Sequence, residues 1–170
     1  MVTDALLQQK TKSIGEKNRG LRMSSPFAFA KRIGIVFTIE DVSKHNAVKH
    51  FIQELKNENK EVETLAFLPK GNDNHEFLFK FFTSKDFDLL GRLKNPYALE
   101  FIELPFDFLF CLDFVPNVFV NHILAQSKAK CRVGNYTDAN KKQLELLIKP
   151  RAKKYELLNT DLLHYVKTFT

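Results

Sequence analysis

The chain has 170 residues, 44% of them hydrophobic, with 17 phenylalanines and no tryptophan, enough apolar material for one packed domain and too much for a disordered chain. No apolar run reaches the roughly 20 residues of a membrane-spanning helix, and the opening MVTDALLQQKTK lacks the basic start and apolar centre of a secretion signal. The net charge of +6 is unevenly spread, with +5 on residues 1–32, −5 on 33–127, +7 on 128–154 and −1 on the rest, which suggests a polyanionic partner more than a uniformly basic surface would, the alternative being solvated lysines on loops and helix faces.

Residues 1–25 combine Gly15, Gly20, Ser24 and Ser25 with scattered lysine and arginine, and few large apolar residues follow Leu7. This composition predicts a basic, flexible or draped N-terminal arm, helical at most near Ala5–Gln9, ahead of a domain spanning 26–170. Arg32 to Ile39 is a continuous, β-branched apolar run, the signature of a strand buried on both faces. Asp41 and Ser43 then offer helix-capping chemistry, and Ala47, Val48, Phe51, Ile52 and Leu55 recur at helical spacing up to Asn59. A second strand follows over Glu61–Leu68, so the first three elements form a βαβ unit with a right-handed crossover.

Beyond the loop at Pro69–Asn74, the phenylalanines of 77–82 predict a third strand, with a turn and short helix near Asp86–Gly91 and another helix at Tyr97–Ile102. Phe106–Leu112 is a strong strand candidate, followed by a helix over Asn117–Ala129 and a short strand at Cys131–Gly134. A last strand at Leu144–Ile148 and a closing amphipathic helix over Tyr155–Phe169 complete the pattern. Strands alternating with helices predict a single three-layer α/β domain with a mostly parallel, Rossmann-like sheet.

In such sheets a ligand sits beyond the carboxyl ends of the strands. Glu40 at the end of the first strand, Asp113 after Leu112, and Asn117 at the next helix start are therefore candidates for a small phosphorylated ligand. The first strand–helix joint has no G-x-G-x-x-G, and no G-x-x-x-x-G-K-[ST] occurs, so a nucleotide held in a glycine-rich cradle is not expected. Neither the five histidines nor Cys111 and Cys131 have metal-ligand spacing, so no metal and no cofactor are expected. Cys111 reads as core rather than as a reactive thiol, no G-x-S-x-G nucleophile elbow is present, and the two cysteines suit a reducing cytoplasm.

The basic zones carry the more specific signal. Lys10, Lys12, Lys17, Arg19 and Arg22 lie on the arm, Lys31 and Arg32 at the start of the first strand, and Lys128, Lys130 and Arg132 around a helix–strand joint. These residues are the expected contacts to RNA phosphates, through counterion release. Lys149, Arg151, Lys153 and Lys154 follow a strand rather than precede one, so a single continuous patch is not predicted.

The segments Lys31–Phe37, Phe87–Gly91, Pro105–Leu109, Ser127–Gly134 and His164–Lys167 resemble a family of small uncharacterised bacterial α/β proteins, a domain of unknown function. The resemblance implies an α/β fold over about residues 30–168, a basic N-terminal segment, and no assigned activity. Phe106–Leu112 and Ala129–Gly134 are also distantly similar to the N-terminal half of heptosyltransferase-like glycosyltransferases. Those enzymes need a second Rossmann-like half, which this chain is too short to supply. The expected function is therefore non-enzymatic binding of RNA or a ribonucleoprotein, with ribosome association among the forms it could take. The alternatives are an enzyme or sensor for a small phosphorylated ligand, and a protein-interaction module docking through residues 77–82.

Overall fold

The strand run at Arg32 and the helix stripe after Asp41 become β1 (Arg32–Thr38) and α2 (Val42–Asn57) in a computed structural model that describes residues 2–23 and 25–168. Ser24 and Phe169, assigned above to the arm and the closing helix, lie outside the described residues. The remaining elements are α1 (Asp4–Lys17), β2 (Glu61–Phe67), β3 (Phe81–Phe82), α3 (Pro96–Glu103), β4 (Phe108–Cys111), α4 (Val118–Gln126), β5 (Cys131–Asn135), β6 (Leu146–Ile148) and α5 (Tyr155–Thr168). The strands form one parallel sheet in the order β3-β2-β1-β4-β5-β6. The chain is thus a single Rossmann-like α/β domain.

β1 lies at the centre because both its faces are apolar. Ile33, Ile35 and Phe37 point to the side covered by α2 and α5, packing with Phe51, Phe110, Leu158 and Leu162. Val36 points to the other side, with Leu65, Leu109, Val120 and Leu124 beneath α3 and α4. Gly34 also faces that second side, where a Cβ would stand 2.8 Å from a Phe106 ring carbon. The glycine inside the strand is therefore a packing requirement rather than a turn. Cys111 and Cys131 are buried, free and packed on opposite faces of the sheet.

Two expectations are corrected. The strand predicted over 77–82 shrinks to Phe81–Phe82, because residues 75–77 form a single tight turn with Glu76 at φ 57° and only the chain from Lys80 onward meets β2. Phe79 and Phe82 point into the core, 4% and 0% exposed, so they are not a docking face. The draped arm is replaced, over 4–23, by a helix and a tight turn fastened to the domain. Thr3 caps α1, Leu7 is fully buried, and Thr11 is 3% exposed. Gly15 lies one further turn along the same face, where a Cβ would stand 4.0 Å from the Ala125 Cβ of α4. The contact stripe Leu7–Thr11–Gly15 has helical spacing but only one large apolar residue, so hydrophobic periodicity passes over it. Beyond α1, Asn18 Nδ2 donates to the Ala125 carbonyl at 3.0 Å and Met23 N to the Lys130 carbonyl at 2.9 Å.

Candidate anion-binding site

Docking of α1 against α4 leaves a groove between α1 and the β5–β6 connection. Its volume is about 690 Å³, and it is lined by Lys12, Arg19, Arg22, Arg132, Lys141 and Lys142, with Glu16 and Glu145 as the opposing carboxylates. Six cations against these two anions and the Asp138 carboxylate that pairs with Lys141 leave an excess of three positive charges on one concave surface, which focuses the field there. Past Thr11, Ala139 and Gln143 the groove adjoins a second cleft of about 450 Å³ with polar walls that include Gln8 and Asn121. Lys12, Arg19, Lys141 and Lys142 are exposed on its walls. Lys141 also pairs with Asp138 at 2.7 Å and lies 5.3 Å from the centre of the Tyr136 ring, which is itself exposed.

The floor is built differently. Arg132, at the start of β5, has a side chain only 5% exposed and grips Glu145 with two nitrogens, Nη2 to Oε1 at 2.6 Å and Nε to Oε2 at 2.9 Å. Its Nη1 donates to the Leu124 carbonyl at 3.1 Å, holding the end of α4. Arg22 is 7% exposed and donates Nη1 to the carbonyls of Ser127 (2.9 Å) and Ala129. Burial, followed by the nearby charge of Arg132, lowers its pKa to about 10, with Glu145 opposing the shift.

The structure thus brings Lys12, Arg19, Arg22 and Arg132 together and adds Lys141 and Lys142, which sequence reasoning had counted in the basic zone without singling out. The other expected RNA contacts do not join them. Arg32 meets Glu61 at 3.4 Å, Lys130 meets Asp107 at 2.7 Å and Lys128 meets Glu103. Asp107 also accepts the backbone N–H of Lys31 at 2.8 Å, while Lys31 itself is exposed and outside the groove lining. Lys17 is exposed in the last turn of α1, and Lys10 packs beside Gly91, both outside the groove lining.

The carboxyl ends of β1 and β4 hold a second charged cluster. Asp113 is 3% exposed. It accepts from Thr38 N and Thr38 Oγ1, both at 2.8 Å, and from Lys44 Nζ at 2.6 Å. Lys44, 1% exposed, donates also to Glu40 Oε1 at 2.7 Å and lies 4.7 Å from the centre of the Tyr155 ring. Tyr155 in turn donates its hydroxyl to Glu40, and burial, with that bond second, pushes its pKa up. Glu40 and Asp113 are therefore neighbours, as expected from their strand-end positions, but the group between them is Lys44, which the sequence did not suggest. Asn117 stands apart, its Oδ1 accepting from Phe119 N and Val120 N as the cap of α4.

This cluster suits a lock better than a phosphate site. At the N-terminus of α2, where the fold would seat a phosphate, Glu40, Asp41 and Asp113 face one lysine, and the Asp41 side chain already accepts from Lys44 N at 2.8 Å. Two uncompensated negative charges repel a further anion.

Among the described residues no group of three His, Cys, Asp or Glu is placed to hold a metal, and no helix is long and apolar enough to cross a membrane. No curated protein and no solved structure matches the chain, so the likeness to glycosyltransferase halves gains no support from comparison. The model of DUF6913, a family of unknown function, matches residues 4–169, and the chain belongs to that family. The match takes in α1, which the resemblance drawn from sequence had left outside.

Proposed function

We propose that this chain is a binding protein for a phosphate-bearing polyanion, RNA alone or within a ribonucleoprotein, which lies along the groove between α1 and the β5–β6 connection. The observation that carries the proposal is convergence. Lys12, Arg19 and Arg22 from one end of the sequence meet Arg132, Lys141 and Lys142 from the other on one concave surface, whereas Arg32, Lys128 and Lys130 each meet a carboxylate of the chain elsewhere. Exposed lysines on the walls supply charge that tracks a backbone without reading sequence. The exposed Tyr136 ring beside Lys141 offers a face on which a base can stack. The proposal places the protein in the cytoplasm, a setting compatible with two buried thiols, both shifted upward in pKa chiefly by desolvation. The proposed role is binding rather than catalysis.

Fluorescence anisotropy with a labelled single-stranded RNA, repeated across a salt series, tests this. Affinity should fall with salt at a log–log slope of about −0.7 per phosphate engaged, so three contacts give about −2. The double variant Lys141→Glu/Lys142→Glu should weaken binding by about tenfold or more, roughly 1.4 kcal/mol. Lys128→Ala, outside the groove, should leave it unchanged. Affinity indifferent to salt, or equal in the wild type and the double variant, would overturn the proposal.

A further inference from the structure

Two buried guanidinium groups share one carboxylate at the floor of the groove. Arg132 takes both oxygens of Glu145, whose Oε2 also accepts the Arg132 backbone N–H at 2.8 Å. Arg22 is left with Nε 3.9 Å from Glu145 Oε1, too far for a hydrogen bond. Its Nε and Nη2 are buried and without a hydrogen-bond partner among the described residues, although the side chain is only 7% exposed. The deficit is thus one negative charge and the two donors along the Nε–Nη2 edge of a guanidinium. That edge presents two parallel N–H bonds, the fork that matches two oxygens of a phosphate. The Glu145 side chain, 29% exposed against 7% for Arg22, lines the groove with it.

We propose that Arg22 and Arg132 form a subsite for a single phosphate group in the groove floor, with Glu145 occupying part of it until an entering phosphate displaces the carboxylate from the Arg22 side. The subsite rests on the polyanion reading and deepens it by naming the anchoring contact. It has a signature that a structural ion pair lacks: weakening the Glu145 charge should help the anion bind, because that carboxylate stands 3.9 Å from Arg22 Nε and repels an anion arriving at the same fork.

The test is an NMR titration of the arginine Nε–H resonances of the full chain with inorganic phosphate at constant ionic strength, with chloride as the reference. Phosphate should move the Arg22 Nε–H resonance saturably where chloride does not, and Glu145→Gln should tighten that response several-fold. Arg22→Lys, which keeps the charge and loses the fork, should abolish the saturable shift of the Arg132 Nε–H. A response to phosphate no larger than to chloride overturns the subsite, as does weaker binding by Glu145→Gln or an unchanged Arg132 response in Arg22→Lys. If Arg22→Lys does not fold, the wild-type and Glu145→Gln titrations decide. RNA oligomers with a 5′-phosphate or a 5′-hydroxyl separate the sources: preference for the former assigns the subsite to a terminal phosphate, equal affinity to an internal diester. RNA affinity unchanged in a folded Arg22→Lys removes the subsite and leaves the polyanion reading standing. Phosphate binding without RNA binding does the reverse.

Discussion

At the scale of single residues, two buried polar contacts make measurable contributions to stability. Lys44 satisfies Asp113 and Glu40 together, and removing it leaves a carboxylate that is 3% exposed without its cation. Lys44→Met should therefore cost about 3–5 kcal/mol in urea denaturation, while Lys44→Met/Asp113→Asn should recover part of that loss, since removing one partner of a buried pair costs more than removing both. A double variant no more stable than the single one would show that Asp113 is not relying on Lys44. His122, 1% exposed, faces Thr11 Oγ1 through Nδ1 at 2.8 Å. The Thr11 hydroxyl hydrogen is committed to the Leu7 carbonyl at 2.7 Å, so its oxygen accepts and the His122 Nδ1 carries the proton it donates. Burial, and then the charge of Lys10, lowers the His122 pKa from 6.5 to about 4. Between those two values the unfolded chain binds a proton that the folded chain refuses, so stability is greatest above pH 6.5 and falls by up to about 3 kcal/mol on acidification. Urea midpoints at about pH 7 and about pH 4.5, on either side of the ordinary histidine pKa, should differ more for the wild type than for His122→Gln.

At the scale of elements, α1 separates a basic tail from an integral part of the domain. Leu7 is fully buried in the cluster that also holds Val120 and Leu124. Leu7→Ala should cost about 2–5 kcal/mol, as a core truncation does, whereas the same change in a solvated arm would cost almost nothing. The helix escaped the sequence reading because its contact face is Leu7, Thr11 and Gly15, and because Gly15 lowers helix propensity by about 1 kcal/mol relative to alanine. The central strands were plain for the opposite reason. Arg32–Thr38 and Phe108–Cys111 are apolar on both faces, and only a parallel sheet covered by helices on each side accepts such runs. The 77–82 segment misled because Phe79 and Phe82 do enter the core, while backbone pairing is confined to its last two residues.

At the scale of the whole molecule, the charge asymmetry visible in the sequence did not show where the basic residues gather. Arg32, Lys128 and Lys130 are as basic in sequence as Lys12 and Arg19, and only folding shows that the first group meets Glu61, Glu103 and Asp107 while the second lines a groove. Arg22 and Arg132 are 110 positions apart, so their sharing of Glu145 is invisible to any local pattern. The groove belongs to the folded state, so an RNA that occupies it must also hold the fold together. At a free RNA concentration about 100 times its Kd, the gain is about 2.7 kcal/mol. For a domain of this size that corresponds to a rise of roughly 5–10 °C in melting temperature. The rise should disappear in high salt, and a melting temperature unmoved by saturating RNA at low salt would contradict binding in this groove.

The outermost strands also shape how copies of the molecule meet. β3 contributes two residues and β6 three, against seven each for β1 and β2 inside. A rim so short gives a stray polypeptide few free amides to zip onto, and thus guards the native protein against strand-by-strand growth into fibrils. The hazard is displaced to the unfolded chain, where Phe106–Leu112 lies bare.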